Sequence, residues 1–279
     1  AIVLRSDTNI QGFVLGDVEY KVLQYADDTQ LISKWCPITL EHTLKVFTEF
    51  GNGKMNMVKS KVYRIGSLKY SVETLCPHVK LKWDIMPIEV LGIKIVQDNN
   101  MLSNLNIIPN VDKMKHNYTV WSRRGLSLYG KITIIKTFGL SQITYVLTNI
   151  PSPPEEALKE IESASFKFIW NNKPDKIKRI NLCQKYDQGG LKMTDIESLD
   201  KSLKLSWIKR LMSENKTAWK SLIYYQMPLL DNIKSYFFKC NLHVNDFHLQ
   251  YDSLLNIFWK QTLGYWCEIK RHNRKWAGL

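Results

Sequence analysis

The sequence predicts an α+β fold in which a strand-rich first hundred residues give way to an all-helical remainder. Three observations carry this. Short apolar runs at Ile10 to Leu15 and Val18 to Gln24 flank Gly16-Asp17, a tight-turn signal. From residue 110 onward, apolar residues recur at helical spacing. Between these regions the polar stretch Gln97-Asp98-Asn99-Asn100 breaks both patterns, so a boundary is expected near residues 97–110.

In chain order, the second apolar run leads through Tyr25-Ala26-Asp27-Asp28 into Thr29-Gln30-Leu31-Ile32, which reads as a hairpin with both acids at its tip. Thr39 is placed to cap a helix whose apolar face is Leu40, Leu44 and Phe47, and Gly51-Asn52-Gly53 ends it. A strand is expected at Ser60 to Ile65, then a loop-rich stretch over 70–88 with Pro77 and Pro87. Val90 to Ile95 reads as one more strand. Helices are expected at Val111 to Arg124 and Lys131 to Leu147. In Ser152-Pro153-Pro154-Glu155, Ser caps, Pro fills the first turn and Glu follows three residues later. The helix it opens turns Leu158, Ile161, Ser165, Phe168 and Ile169 to one side. Gly189-Gly190 is a break, and Leu199, Leu203, Trp207 and Leu211 form a stripe on the next helix.

The chain has 279 residues, 44% of them hydrophobic, ample for a core. No run approaches the ~18 uninterrupted apolar residues of a membrane span, so no membrane partner is expected. Arg5 and Asp7 interrupt the short apolar start, against a secretory leader. An opening on Ala-Ile-Val-Leu without Met reads as an excerpt. The net charge of +13 suggests a polyanionic partner, nucleic acid before anionic membrane. Residues 1–50 carry 4 basic and 7 acidic side chains, whereas residues 101–150 carry 6 and 1. Solvated lysines on helix faces would give a similar balance. The five cysteines are odd in number and widely spaced, which argues for a reducing, intracellular compartment, nuclear or cytoplasmic.

Paired carboxylates at a hairpin tip can offer oxygens to a hard divalent cation, although Asp favours turns in any case. The downstream order of motifs gives the pair its context. Tyr25-Ala26-Asp27-Asp28 resembles motif C of the reverse-transcriptase palm. Gly53-Lys54-Met55-Asn56-Met57-Val58-Lys59-Ser60-Lys61 resembles that family's motif D, and Glu89-Val90-Leu91-Gly92-Ile93 its primer grip. Trp121 to Ile132, with Arg123, Arg124, Gly125 and Lys131, resembles the thumb of LINE-type (non-LTR retrotransposon) reverse transcriptases. Phe168-Ile169-Trp170, Gly189-Gly190-Leu191 and Ser206 to Arg210 resemble the segment after that thumb. The likeness covers roughly residues 1–212.

The resemblance implies a partial palm of antiparallel strands with a helix over residues 1–100, thumb helices over 105–150 and a helical post-thumb region over 151–279. It implies RNA-directed DNA polymerisation in the complete protein, with two Mg²⁺ or Mn²⁺ ions roughly 4 Å apart. Asp27 is then the principal metal ligand and Asp28 its support. Lys59 serves the leaving pyrophosphate, with Lys61 a weaker candidate for that role. Leu91 and Gly92 shape the primer grip, and Trp121, Arg123, Arg124 and Lys131 face an RNA template and DNA primer. Bland readings stand beside these: an exposed lysine at 59, a plain buried strand at 91–92, and a core tryptophan at 121 flanked by solvated arginines.

The family's first metal aspartate, its motif B and its fingers lie upstream of motif C, and Ala1 to Arg5 resembles the stretch just after motif B. The chain alone is therefore expected to be inactive, with the missing N-terminal part of the same protein as a candidate partner. Two other readings stay open: an inactive nucleic-acid-binding remnant, and a structural helical protein that binds a partner. Cys240, His243, His248, Cys267 and His272 lack the close pairing of a zinc site, and scattered core positions explain them better.

Overall fold

The computed structural model describes residues 2–26, 28–34, 36–50, 56, 58–71, 82–84, 87–215, 217–226 and 256–272. Its elements run α1 (Ile2–Ser6), β1 (Phe13–Leu15), β2 (Val18–Tyr20), β3 (Val22–Tyr25), β4 (Asp28–Leu31), α2 (Pro37–Phe50), β5 (Lys61–Tyr63), β6 (Lys82–Asp84), β7 (Ile88–Val90) and β8 (Ile93–Ile95). They continue as α3 (Asn99–Asn106), α4 (Ile108–Ser122), α5 (Leu128–Ile134), α6 (Ser141–Asn149), α7 (Glu155–Trp170), α8 (Arg179–Cys183), α9 (Ile196–Met212), α10 (Ala218–Gln226) and α11 (Ile257–His272). The fold is mixed α and β, dominated by helix, with small strand pairs among the described residues.

Two compact units divide the chain, Ala1–Ile95 with Lys216–Tyr225, and Val96–Asn215 with Gln226–Leu279. The division falls just before the expected 97–110 boundary. That stretch is itself a helix start, because Asp98 accepts a hydrogen bond from Met101 N and caps α3. Residues 216–225 return to the first unit, which the expected single post-thumb region did not anticipate.

In the first unit, Leu4, Ile10, Val22 and Val46 form a small core. Gly16, at φ +58, closes β1 onto β2. The run Val18 to Gln24 is two strands, not one, and Lys21 separates them. Its ammonium is buried, donating to Asp7 O at 2.8 Å and facing Glu19 at 3.1 Å. Glu19 in turn accepts from Gly12 N at 2.7 Å, so one ionic knot fixes the chain where β2 passes into β3. The Tyr20 hydroxyl donates to Ala218 O, tying the start of α10 to β2.

Helix α2 opens at Pro37, whose fixed φ suits a first turn. Thr39 lies inside the helix and is buried, so it is not the cap expected of it. The buried line is Thr39, Thr43 and Val46, while Leu40 and Leu44 are half-buried. β5 pairs in parallel with β6, a strand inside the stretch expected as loop. β7 and β8 form an antiparallel hairpin where one strand was expected.

The second unit is a helical bundle. α4 packs against α3, α6 and α7, while α9 packs against α6, α7 and α11. Met114, Ile135, Ile143, Leu147 and Ile161 are fully buried at its centre. Each such side chain contributes about 1.5–3 kcal/mol on burial. Between α5 and α6 a π-helical turn over Ile135–Gly139 closes with Leu140 N donating to Ile135 O at 2.7 Å. Gly139 sits against the Tyr118 ring, and any side chain there would collide with it. Tyr118 stacks on Phe168 at 4.8 Å and bonds Ser165 at 3.1 Å.

Two expectations shift here by a residue or a role. Glu155 opens α7 without a side-chain cap from Ser152. Ser152 instead bonds α11, its N–H donating to Gln261 and its hydroxyl meeting Tyr265. On α9 the buried line is Ile196, Asp200, Lys204, Ile208 and Leu211, one residue round from the expected stripe except at Leu211.

Candidate functional site

The Tyr25-Ala26-Asp27-Asp28 segment closes a hairpin in which Tyr25 pairs with Asp28, and Ala26 takes φ +51. Asp28 is thus the first residue of β4, with its side chain exposed. Asp27 lies outside the described residues. A hard divalent cation takes about six oxygen ligands. Among the described residues no three His, Cys, Asp or Glu side chains converge to hold one. The described donors alone therefore do not complete a metal site.

Lys59 stands in a turn before β5, exposed. Asn56 builds that turn. Its carbonyl accepts from Lys59 N, Ser60 N and the Ser60 hydroxyl, and its side-chain oxygen accepts from Lys59 N at 3.1 Å. An Asn three residues before the lysine thus has a local reason, since Asx side chains favour such turns. Lys61 is engaged differently, facing Asp84 at 3.0 Å, which raises its pKa above the ordinary lysine value. It ties β5 to β6.

Leu91 and Gly92 form the tip of the β7–β8 hairpin, both with positive φ, +49 and +77. That is a two-residue turn of type I′, which favours Asn-Gly and disfavours leucine. Leu91 is nonetheless there and exposed. A plain buried strand is therefore not what these two residues make. Backbone strain in an exposed apolar side chain is a common mark of functional segments.

At the end of α4, the Arg124 guanidinium lies 4.3 Å over the Trp121 ring, whose other neighbour is Phe138 at 5.3 Å. Trp121 is half-buried, and Arg123 and Arg124 are exposed. The flat guanidinium is held by the ring while its N–H edges stay available, a geometry suited to phosphate.

Lys131 departs from expectation. It is buried, and its ammonium donates to Ile169 O at 2.8 Å and Asn171 Oδ1 at 2.7 Å. Burial pushes its pKa down. Asn171 holds the left-handed position that ends α7, at φ +52, so Lys131 caps that helix and complements its dipole. It is a structural residue with no reach to a ligand on the surface.

No protein-family model matches the chain. No helix among the described residues is long and apolar enough to cross a membrane. Of the Cys/His residues weighed for zinc, Cys240, His243 and His248 lie outside the described residues, and Cys267 is half-buried on α11.

Two arrangements escaped sequence reasoning. Asp200 and Lys204 form an ion pair at 3.0 Å with both side chains fully buried, and the lysine also donates to Leu147 O at the end of α6. Their i,i+4 spacing is the available signal, but the same spacing is commonplace on exposed faces. Tyr129 and Tyr186, both exposed, meet at 6.3 Å with Lys192 4.6 Å over the Tyr186 ring. The signal for that pair was Gly189-Gly190, read only as a break.

Proposed function

We propose that this chain is the downstream part of a LINE-type reverse transcriptase, and that its second unit holds nucleic acid through the corner between α4 and α5. The carrying observation is the Arg124–Trp121 stack with Arg123 exposed beside it. Around it, residues 101–150 set 6 basic side chains against 1 acidic. A contact of this kind is sequence-independent and salt-sensitive, because cations on the protein release counterions from the phosphate backbone. The strained, exposed Leu91-Gly92 tip supports the reading as a primer contact, and the exposed Asp28 carboxylate supports it as part of motif C.

Under this reading the partners are an RNA template and a DNA primer. Asp27 and Asp28 contribute ligands for Mg²⁺ or Mn²⁺ together with a further carboxylate on chain outside these 279 residues. Lys59 faces the leaving group. Metal-dependent nucleotide addition by the complete protein on a primed RNA template tests the catalytic half. Asp27→Asn abolishes it, and unchanged incorporation by that variant contradicts the assignment.

A second reading is nucleic-acid binding without chemistry, for which the basic balance around the Arg124–Trp121 stack suffices. Binding by the complete protein without synthesis selects it. Absence of salt-dependent binding to any nucleic acid removes both and leaves a helical partner-binding protein.

A further inference from the structure

The segment between α8 and α9 is built more rigidly than a surface loop requires. Gly189 takes φ +77, and Lys192, which carries a side chain, takes φ +52. Gly190 is buried, and a β-carbon there would collide with the Gln184 backbone, so no larger residue fits. Leu191 N and Met193 N both donate to Leu182 O, and Lys192 N donates to Gln184 O. Gly190 N donates to Lys185 O. These bonds hold a short 3-10 turn, Tyr186–Gln188, at a fixed angle.

That knot presents Tyr186 outward, 48% exposed, beside Tyr129 of α5, 59% exposed. The rings are tilted 41° with centroids 6.3 Å apart, and Lys192 Nζ stands 4.6 Å from the Tyr186 ring centre. A hydrogen bond with Tyr129 raises the Tyr186 phenol above its ordinary value. Six basic side chains against two acidic ones lie between residues 173 and 192, and the acid on the turn itself is Asp187. Tyr129 follows Arg124 by five residues.

Aromatic rings fixed at the surface, with a cation over one ring and basic surroundings, are the components of single-strand recognition. Bases stack on the rings and phosphates meet the cations. Glycine takes a left-handed position more readily than lysine does. Lysine at this position brings a cation onto the Tyr186 ring, which a glycine would not.

We infer that Tyr186 and Tyr129, with Lys192, form a stacking platform for single-stranded nucleic acid, separate from the phosphate-contacting Arg123 and Arg124. The inference rests on the nucleic-acid reading of the second unit and adds base contact to it. The full chain is titrated with a fluorescent thymidylate 20-mer and with an abasic strand of the same length, which keeps the phosphates and removes the bases. The wild type binds the thymidylate strand more tightly. Tyr186→Ala weakens thymidylate binding roughly tenfold, from the ~1–3 kcal/mol that one stacked base contributes, and leaves abasic binding unchanged. Tyr186→Phe retains the preference, which separates loss of stacking from loss of folding. Lys192→Gly weakens both strands. Equal affinity of the wild type for the two strands, or a preference that survives Tyr186→Ala, overturns the platform while leaving the phosphate contact standing. No binding of either strand, or of duplex, overturns both.

Discussion

At the residue scale, Leu91 and Tyr118 show opposite uses of an unusual position. Leu91 sits where the turn calls for Asn, at φ +49. Its side chain is 40% exposed, so little packing is lost on replacement. Leu91→Asn is expected to raise the unfolding free energy of the first unit by about 1 kcal/mol, the cost of a left-handed L-residue, as read by urea denaturation. Unchanged or lowered stability would show that the leucine has packing value there. Tyr118 is buried, and burial pushes its phenol up to about 12 against an ordinary 10.0. The folded value exceeds the unfolded one, so its stabilisation is full below pH 10 and drains away between about 10 and 12. Tyr118→Phe loses about 1 kcal/mol at pH 7 with the Ser165 bond, and the decline above pH 10 becomes shallower. An unchanged alkaline decline in that variant contradicts the assignment. In the sequence Tyr118 is one residue of the helix expected over Val111 to Arg124, with nothing to single it out. Its partner Ser165 stood on the expected face of α7, but the bond between them joins helices 47 residues apart and leaves no local trace.

At the element scale, the helices were legible and their details were not. The 3.6-residue period located α4, α7 and α9, because burial of a face dominates helix placement. The faces slipped where a polar residue was buried. On α9 the core positions include Asp200 and Lys204, so an apolar count drew the stripe one residue aside, through Leu199, Leu203 and Trp207. Both ends of that pair are sealed from water. Removing one partner strands the other charge, so Lys204→Ala is expected to lower stability by about 3–5 kcal/mol. The double replacement Asp200→Leu with Lys204→Met is expected near neutral. Such swaps range from neutral to ~1–4 kcal/mol stabilising, and the unpaired Leu147 carbonyl costs ~1 kcal/mol. Thermal unfolding of the three proteins decides it, and a double variant as unstable as Lys204→Ala would show that the pair itself is indispensable. The Ser152 and Thr39 caps failed for a related reason. A hydroxyl near a helix start looks the same in sequence whether it bonds the next turn or, as Ser152 does, a helix more than a hundred residues on. The β7–β8 hairpin was missed because leucine is no turn signal.

At the scale of the whole molecule, the two compact units divide between Ile95 and Val96, beside the polar stretch that begins at Gln97, and the passage from mixed strand and helix to helix was legible in the apolar patterning. The return of residues 216–225 to the first unit was not, because the Tyr20–Ala218 bond that anchors it spans 198 residues. The candidate site divides in the same way. Asp28, Lys59, Arg123 and Arg124 are exposed, while Lys131 is withdrawn into the bundle, where it caps the end of α7. A basic residue beside two arginines reads as surface, and only the α7 terminus reveals its other task. What the molecule then offers a polyanion is a net charge of +13 with a stacked arginine at one corner of the bundle.

The most direct test is the salt dependence of binding to an RNA–DNA primer–template duplex. The wild-type chain should bind with log affinity falling linearly against log salt, and the Arg123→Ala, Arg124→Ala double variant should lose about two from that slope, one per phosphate contact. Binding that ignores salt, or a double variant with the wild-type slope and affinity, would contradict the account.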